Sequence, residues 1–218
     1  MKIVFDFAGV LFHWQPRRML MRVLVQHAFD DASAARWEAA IFQDWGGDWA
    51  EFDRGHIDVE PLALKIAART ALHIDEVRGV IDAIPRELQA DAATVQLVHE
   101  LADAGHELYF LSNMPAPFAD HLEAQHDFLR AFRGGVFSAR VHAIKPEAAI
   151  FRIAEQRFSA AAHELVFIDD VMSNVVAARE AGWRALQYVD AAQCRAALAA
   201  LAAPATFAAS DARIEQLS

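Results

Sequence analysis

Hydrophobic residues follow two different rhythms along this chain. From about Pro16 to Gln89 they recur at spacings of three and four residues, as on one face of an α-helix. Outside this block they form short continuous runs bounded by polar residues or glycine, the first of them at Ile3–Phe5. The pattern therefore predicts a strand, then a block of helices, then further strands.

The segment after Asp91 alternates between the two rhythms. Helical segments there separate four apolar runs, which we predict to be strands at Glu107–Leu111, Val136–Ser138, Leu165–Ile168 and Ala185–Tyr188. Strands that alternate with helices are typical of a parallel sheet covered on both faces. We predict an α/β fold in which a Rossmann-like parallel sheet forms the core and a helical cap is inserted after the first strand.

The change of rhythm also predicts the domain boundaries. Residues 1–15 and 90–218 would form the α/β core domain, and residues 16–89 would form the helical cap domain. Near the end of the chain we expect a helix over 191–203, followed by a polar segment from Asp211 onward.

Turn-forming residues should divide the cap into three or four helices. The expected breaks are at Gly46-Gly47, Gly55 and Pro85, and the expected N-caps are Ser33 and Asp58. The segment Asp53-Arg54-Gly55-His56 is interpreted as a structural connection between cap helices rather than as a substrate site. Most aromatic residues of the cap should pack in its interior, whereas Trp14 and Trp45 are expected to face a substrate.

Composition narrows the range of functions. The chain has 218 residues, 55% of them apolar and 23% charged, which is enough to bury a core. Its net charge of −10 and the absence of a Lys/Arg stripe argue against binding to nucleic acid or to an anionic membrane surface. A single cysteine, Cys194, fits a reducing compartment, and neither a signal peptide nor a membrane span is evident, so we expect a cytoplasmic protein. The oligomeric state stays open.

Polar residues stand where the predicted strands end. Asp6 follows the first strand, Ser112-Asn113 the second and Asp169-Asp170 the fourth, while Lys145 lies in the loop after the third. In an open parallel sheet, ligands bind beyond the carboxyl ends of the strands. We therefore expect these side chains to meet at one edge of the sheet.

The residue types in this group point to phosphoryl transfer. Converging carboxylates repel one another unless a cation neutralises them, and Mg²⁺ suits such oxygen ligands. Asp6 could act as an in-line nucleophile that forms an aspartyl-phosphate. The Ser112 hydroxyl would bind phosphoryl oxygens, and Lys145 would balance the charge of the transition state.

Four motifs, in this order, resemble those of the haloacid dehalogenase-like (HAD) hydrolase superfamily. They are Asp6-Phe7-Ala8-Gly9-Val10, Leu111-Ser112-Asn113, Lys145-Pro146-Glu147 and Phe167-Ile168-Asp169-Asp170. The helical insertion after the first motif is similar to the subgroup with a small helical cap. Within it, the chain most resembles bacterial phosphatases of the alpha-D-glucose-1-phosphate phosphatase type.

The resemblance implies a role for each matching position. Asp6 would be both nucleophile and metal ligand, the backbone carbonyl of Ala8 a second ligand and Asp170 a third, with Asp169 supporting the metal through water. Ser112 and Asn113 would bind phosphate, and Lys145 would join the nucleophile to the phosphate.

Ala8 departs from the pattern of many family members, which carry an aspartate there as general acid and base. Such proton transfer typically contributes ~10²–10⁴-fold in rate. Three explanations remain open. The substrate could have a good leaving group, as in an anomeric sugar phosphate or an acyl phosphate. A histidine, His13 or His56, could supply the proton, and His13 would then also contact substrate. The chain could instead have another activity.

The expected activity is Mg²⁺-dependent hydrolysis of a small phosphorylated metabolite, such as a sugar phosphate, through an aspartyl-phosphate on Asp6. The protein would thus be a hydrolase of the phosphoric monoester phosphatase type. A 2-haloacid dehalogenase and a non-catalytic HAD scaffold that binds a metabolite or a protein are the alternatives.

Overall fold

A parallel sheet forms the centre of the molecule, for which a computed structural model describes residues 1–202. Its strands are β1 (Lys2–Phe5), β2 (Glu107–Ser112), β3 (Gly134–Phe137), β4 (Leu165–Asp169) and β5 (Arg184–Gln187). They lie in the order β3-β2-β1-β4-β5, and every neighbouring pair is parallel. The predicted α/β fold with a Rossmann-like parallel sheet is confirmed.

β1 occupies the middle of the sheet because its residues can be buried on both faces. Ile3 and Phe5 pack into one hydrophobic cluster, and Val4 between them packs into the other. None of the three is exposed to solvent. A central parallel strand has helices over both faces, which is why it is apolar without alternation. The next residue, Asp6, is thereby placed at the centre of the sheet's carboxyl edge.

Ten helices surround the sheet within the described range. Those of the core are α6 (Ala92–Asp103), α7 (Ala116–Gln125), α8 (Ala148–Phe158), α9 (Met172–Glu180) and α10 (Ala191–Ala202). Those between β1 and α6 are α1 (Pro16–Val23), α2 (Asp31–Phe42), α3 (Gly47–Asp53), α4 (Val59–Thr70) and α5 (Ile74–Glu87). The helical insertion after the first strand is therefore present.

The insertion contains five helices, α1–α5, rather than three or four. Pro85 does not end a helix but lies in the last turn of α5, where it removes only the one hydrogen bond its missing N–H would have donated. The N-cap of α2 is Asp30 rather than Ser33. Asp30 Oδ1 accepts from the Ser33 N–H at 2.7 Å, and Ser33 Oγ accepts from the Asp30 N–H at 2.9 Å, which forms a reciprocal capping box.

The chain leaves and re-enters the core at adjacent points. His13 N–H donates to the carbonyl of Gln89 at 2.8 Å, and Asp91 N–H donates to the carbonyl of Leu11 at 2.9 Å. The boundaries of the cap at residues 16 and 89 stay a prediction. The expected continuation from 203 and the polar segment from Asp211 lie outside the described residues. Within residues 1–202, no helix combines the length and apolar character that crossing a membrane requires.

Candidate active site

Three carboxylates meet at the carboxyl edge of the sheet. Asp6 follows β1, and Asp169 and Asp170 come at the end of the neighbouring strand β4. One carboxylate oxygen from each lies within 4.8 Å of the other two. Parallel pairing of β1 with β4 produces this convergence, because it brings both strand ends to the same edge.

Lys145 reaches two of these carboxylates from the loop after β3. Its Nζ lies 2.7 Å from Asp6 Oδ1 and 2.7 Å from Asp169 Oδ2. Burial alone would lower the pKa of Lys145, but Asp169 and Asp6 outweigh this and raise it. The lysine is therefore charged, and it neutralises part of the negative charge of the site.

Asn113 holds the backbone of Lys145 in place. Its Nδ2 donates to the Lys145 carbonyl at 2.9 Å, and its Oδ1 accepts from the Lys145 N–H at 2.7 Å. Because both ends of the amide are engaged, Asn113 acts here on the position of the lysine. Ser112 is buried, and its hydroxyl has only a long contact of 3.5 Å to the Asn113 carbonyl.

Asp169 and Asp170 have different surroundings. Asp169 accepts hydrogen bonds from Lys145 Nζ, from the Val171 N–H at 2.8 Å and from Asn174 Nδ2 at 3.1 Å. Asp170 Oδ1 is buried without a hydrogen-bond partner among the described residues. The carboxylate oxygens of Asp169 are thus occupied by hydrogen bonds that hold neighbouring groups in place, whereas Asp170 has an oxygen available to bind a ligand.

A cation such as Mg²⁺ fits this donor set. Burial, together with repulsion by Asp169 and Asp170, raises the pKa of Asp6 to about 7 against the lowering effect of Lys145. Burial and Asp169 also raise the pKa of Asp170. The site is therefore short of positive charge, and the unsatisfied oxygen of Asp170 is a hard ligand of the kind that Mg²⁺ prefers.

Gly9 leaves room for the Asp170 carboxylate. The residue has a φ of +85°, and a Cβ added to it would lie 2.3 Å from Asp170 Oδ2. A side chain at this position would therefore displace the carboxylate, and the left-handed backbone also disfavours one.

A cavity of about 530 Å³ opens above the carboxylates, between the core and α1–α5. Its floor contains Asp6, Ala8, Asn113, Lys145 and Asp170. Much of its wall is apolar and consists of Trp14, Trp45, Trp49, Ile84, Leu88, Met114, Phe118, Ile144 and Val171. The arrangement offers a charged group at one end and a hydrophobic surface at the other.

Aromatic contacts support the tryptophan side of the wall. The buried ring of Phe42 stacks on Trp45, with ring centroids 4.7 Å apart. It also meets Trp49 edge-on, with centroids 4.5 Å apart. Trp14 in turn contacts Trp45 at 5.9 Å. Trp37 is not part of this wall, and its Nε1–H donates to the carbonyl of His27.

Sequence reasoning missed Asp53, which it interpreted as part of a structural turn. Asp53 lines the cavity, yet the residue is only 5% exposed. Burial raises its pKa to about 8, although Lys145 and Arg54 lower it. A signal was present in the sequence, since an aspartate four residues after Trp49 falls on the buried face of α3.

The structure does not bring the two candidate histidines to the cavity. His13 has a side chain 56% exposed, and its Nε2 lies 3.4 Å from Asp91 Oδ2. His56 pairs with Glu51 at 2.8 Å and stacks on His142. Neither histidine lines the cavity, whereas Trp14 does.

The arrangement of Asp6, Lys145 and Asp170 agrees with the protein family that the sequence matches. The profile of the haloacid dehalogenase-like hydrolase family matches residues 3–182. The chain belongs to this family. It is therefore a HAD hydrolase, as its motifs predicted.

Several individual proteins are similar to this HAD hydrolase. The sesquiterpene phosphatase astK of Aspergillus oryzae is 26% identical over 187 residues, which are 86% of this chain and 89% of that protein. A HAD family enzyme of Bacteroides thetaiotaomicron, solved with magnesium and inorganic phosphate, superposes with a TM-score of 0.69 at 18% identity, covering 86% of this chain and 93% of that one.

A dehalogenase shares the same fold. The L-2-haloacid dehalogenase of Xanthobacter autotrophicus, with chloropropionic acid covalently bound, superposes with a TM-score of 0.64 at 15% identity. The superposition covers 93% of this chain and 84% of that one. At such identities the two solved structures support the fold and leave the reaction to the residues of the site.

Proposed function

We propose that this HAD hydrolase is a Mg²⁺-dependent phosphatase that cleaves phosphate monoesters through an aspartyl-phosphate on Asp6. The observation that carries the proposal is the contact of Lys145 Nζ with Asp6, beside a buried Asp170 oxygen that lacks a partner. A dehalogenase reaction at carbon needs a nucleophilic carboxylate but no metal ion, and so does not require the pair of carboxylates Asp169 and Asp170. The magnesium and phosphate bound by the Bacteroides enzyme agree with the proposal.

The chain's own residues would divide the work as follows. Asp6 attacks phosphorus, and Lys145 neutralises charge on the nucleophile and on the transferring phosphoryl group. Asp6, Asp170 and the backbone carbonyl of Ala8 would hold Mg²⁺, with Asp169 ordering Lys145 and the loop beside them. When bound, Mg²⁺ would offset the repulsion among the carboxylates and polarise the phosphoryl group.

The wall of the cavity favours a substrate with an apolar alcohol. Trp14 and Trp45 are at least partly exposed and offer hydrophobic faces, and the buried Trp49 and other apolar residues complete the wall. Sugar hydroxyls placed against these faces would lose hydrogen bonds to water, whereas a hydrocarbon would gain from burial. The similarity to a sesquiterpene phosphatase points the same way. We therefore assign a terpenyl or similar long-chain phosphate monoester, rather than a sugar phosphate, as the substrate class.

Phosphate release tests the proposal directly. Farnesyl phosphate, geranyl phosphate and glucose 1-phosphate are incubated with the protein, with and without Mg²⁺. We expect metal-dependent release that is fastest with farnesyl phosphate, and its loss in Asp6→Asn but not in Asp103→Asn, an exposed control at the end of α6. Metal-independent chloride release from 2-chloropropionate would identify a dehalogenase instead, and activity on none of these compounds would favour a binding scaffold.

A further inference from the structure

Cleavage of an alkyl phosphate leaves a proton to be supplied. An alkoxide is a poor leaving group, so the ester oxygen needs a proton as its bond to phosphorus breaks. In-line attack by Asp6 places that oxygen on the far side of phosphorus, toward α1–α5. The position of Ala8, beside Asp6, carries no acid. A replacement should therefore be sought on the cap side of the cavity.

Three acidic residues of the cap line the cavity, and only one suits this role. Glu38 is engaged by Arg17, whose Nε lies 2.6 Å from Glu38 Oε2. Asp44 is exposed at the rim. Asp53 is buried, and among the described residues its carboxyl group takes part in neither an ion pair nor a hydrogen bond. An acid in such a position is free to exchange a proton with a ligand.

A hydroxyl of the core fixes the backbone of Asp53. Ser138 Oγ donates to the Asp53 carbonyl at 2.5 Å and accepts from the Met114 N–H at 2.8 Å. Ser138 is fully buried, and Met114 directly follows the Ser112-Asn113 motif. One hydroxyl thus joins Asp53 to the segment that also positions Lys145.

The turn after Asp53 is docked on the core by two further contacts. The guanidinium of Arg54 forms a paired interaction with the Glu147 carboxylate, and His142 Nδ1 donates to the Arg54 carbonyl at 2.9 Å. Gly55 has a φ of +71°, and a Cβ added there would lie 2.6 Å from the carbonyl oxygen of Ala139. Such close packing fixes the turn that follows Asp53, and Asp53 itself lines the cavity.

We propose that Asp53 is the catalytic acid and base of this enzyme, supplied by the cap in place of the acid missing at Ala8. The inference rests on the proposed phosphatase function. As Asp6 forms its bond to phosphorus, the Asp53 carboxylic acid gives its proton to the departing ester oxygen, which releases the alcohol. The Asp53 carboxylate then takes a proton from the water that attacks the aspartyl-phosphate, so that phosphate leaves, Asp6 is restored and Asp53 is again protonated.

The electrostatic surroundings agree with this role. Burial raises the pKa of Asp53 to about 8, against the lowering effect of Lys145 and Arg54, so the acid carries its proton at neutral pH. The other ionisable groups of the cavity are Asp6, Glu38, Asp44 and Asp170, and those packed around the turn are Glu51, His56, Arg140, His142 and Glu147.

A leaving-group series separates proton donation from a structural role. The value of kcat/KM is measured for p-nitrophenyl, phenyl, benzyl and farnesyl phosphate with wild type, Asp53→Asn and the matched control Asp82→Asn, an exposed aspartate of α5 that does not line the cavity. We expect Asp53→Asn to lose ~10²–10⁴-fold with farnesyl phosphate and far less with p-nitrophenyl phosphate, whose leaving group needs no proton. The alkaline limb of the wild-type pH profile with farnesyl phosphate, near pH 8, should vanish in the variant. Asp82→Asn should leave the hydrolysis of both substrates unchanged.

The outcomes are distinct. Equal losses with all four esters, or no loss with any, would overturn the assignment of Asp53 while the phosphatase function stands. A steep dependence of the wild-type rate on leaving-group pKa would also overturn it, and this measurement needs no variant. Wild type inactive toward every ester would remove the proposed function and, with it, this inference. Continued hydrolysis of p-nitrophenyl phosphate shows that Asp53→Asn is folded, and Asp53→Ser repeats the test.

Discussion

The ammonium nitrogen of Lys145 lies 2.7 Å from Oδ1 of Asp6, where neither side chain is more than 8% exposed. A single buried charge without a partner is strongly unfavourable, so Asp6 depends on Lys145 to remain charged, and Lys145 depends on Asp169 and Asp6. The pair therefore combines a role in stability with a role in chemistry, and the two can be measured apart.

Replacing Lys145 by methionine should reduce both properties. The substitution removes the positive partner of Asp6 and Asp169, which we expect to cost about 3–5 kcal/mol in the free energy of unfolding. Urea denaturation measures this loss, and phosphate release should fall to background. Lys65→Met is the control, because the Lys65 side chain is 53% exposed and its ion pair with Asp48 should contribute less than ~1 kcal/mol. Similar losses in both variants would contradict the prediction.

Gly9→Ala should disturb the metal site through steric contact. The backbone at Gly9 has a φ of +85°, which alone costs an L-residue about 1–2 kcal/mol, and the new methyl would also overlap the Asp170 carboxylate. Gly105→Ala isolates the backbone effect, since Gly105 has a φ of +80° and nothing within 4 Å of an added Cβ. Thermal unfolding should therefore show a larger loss for Gly9→Ala, by ~1–3 kcal/mol. Equal losses would show that the overlap is relieved without consequence.

Magnesium should stabilise the folded protein through Asp170. Binding to the folded state alone raises the melting temperature, by an amount that grows with metal concentration. Asp170→Asn should abolish this shift, and it should stabilise the metal-free protein slightly because it removes the repulsion by Asp169. Asp103→Asn, far from the site at the end of α6, should retain the full shift. A magnesium-dependent shift that persists in Asp170→Asn would exclude this residue as a ligand.

Asp53 should make the folded protein less stable as the pH rises. Its pKa is about 8 in the folded state and ordinarily 3.8, so between these values the folded protein holds a proton that the unfolded chain has released. The free energy of unfolding then falls by about 1.4 kcal/mol per pH unit from this group. The asparagine of Asp53→Asn does not titrate. The free energy of unfolding of this variant, relative to that of wild type, should therefore rise by about 1.4 kcal/mol per pH unit between pH 5 and pH 7.5. A constant difference across this range, as expected for Asp103→Asn, would refute the prediction.

The tryptophan wall should make activity depend on chain length. Each additional buried methylene contributes about 0.8 kcal/mol, or about a fourfold gain in kcat/KM along an alkyl phosphate series. Trp45→Ala should flatten this dependence by raising KM for the longer esters. Phe29→Ala serves as the control, because Phe29 is 73% exposed and does not line the cavity. If chain length has no effect in wild type, the hydrocarbon does not bind along this wall.

Much of this architecture could be predicted from short-range features of the chain. The runs that became β1 and β4 are apolar because both faces of a central strand are buried, and the polar residue after each marks the carboxyl edge. The sequence alone therefore predicts that Asp6, Asp169 and Asp170 lie together. The predicted boundaries inside the cap were less accurate. Pro85 lies in the last turn of α5, where it removes only one backbone hydrogen bond and does not end the helix.

The spacing of Asp53 from Trp49 indicates that Asp53 is buried, but its role could not be assigned from the sequence, because that role depends on a contact between distant segments. In the chain it stands next to Arg54 and Gly55 and looks like part of a turn. The docking of that turn on the core, which includes the hydrogen bond from Ser138, 85 residues later, places Asp53 at the cavity. His13 is the opposite case: it is close to Asp6 in the sequence, but its side chain is exposed and does not line the cavity.

The hydrogen bond from Ser138 to the Asp53 carbonyl would determine when Asp53 stands beside the nucleophile. An opening that moves α3 away from the core would break this bond, and it would withdraw Asp53 at the same moment that it admits solvent to Asp6. Nucleophile and proton donor would then be assembled only while the entrance is shut. The hydroxyl of Ser138 would thus hold the cavity closed. Ser138→Ala should therefore release the product faster and let water reach the phosphorylated Asp6 too early in the cycle.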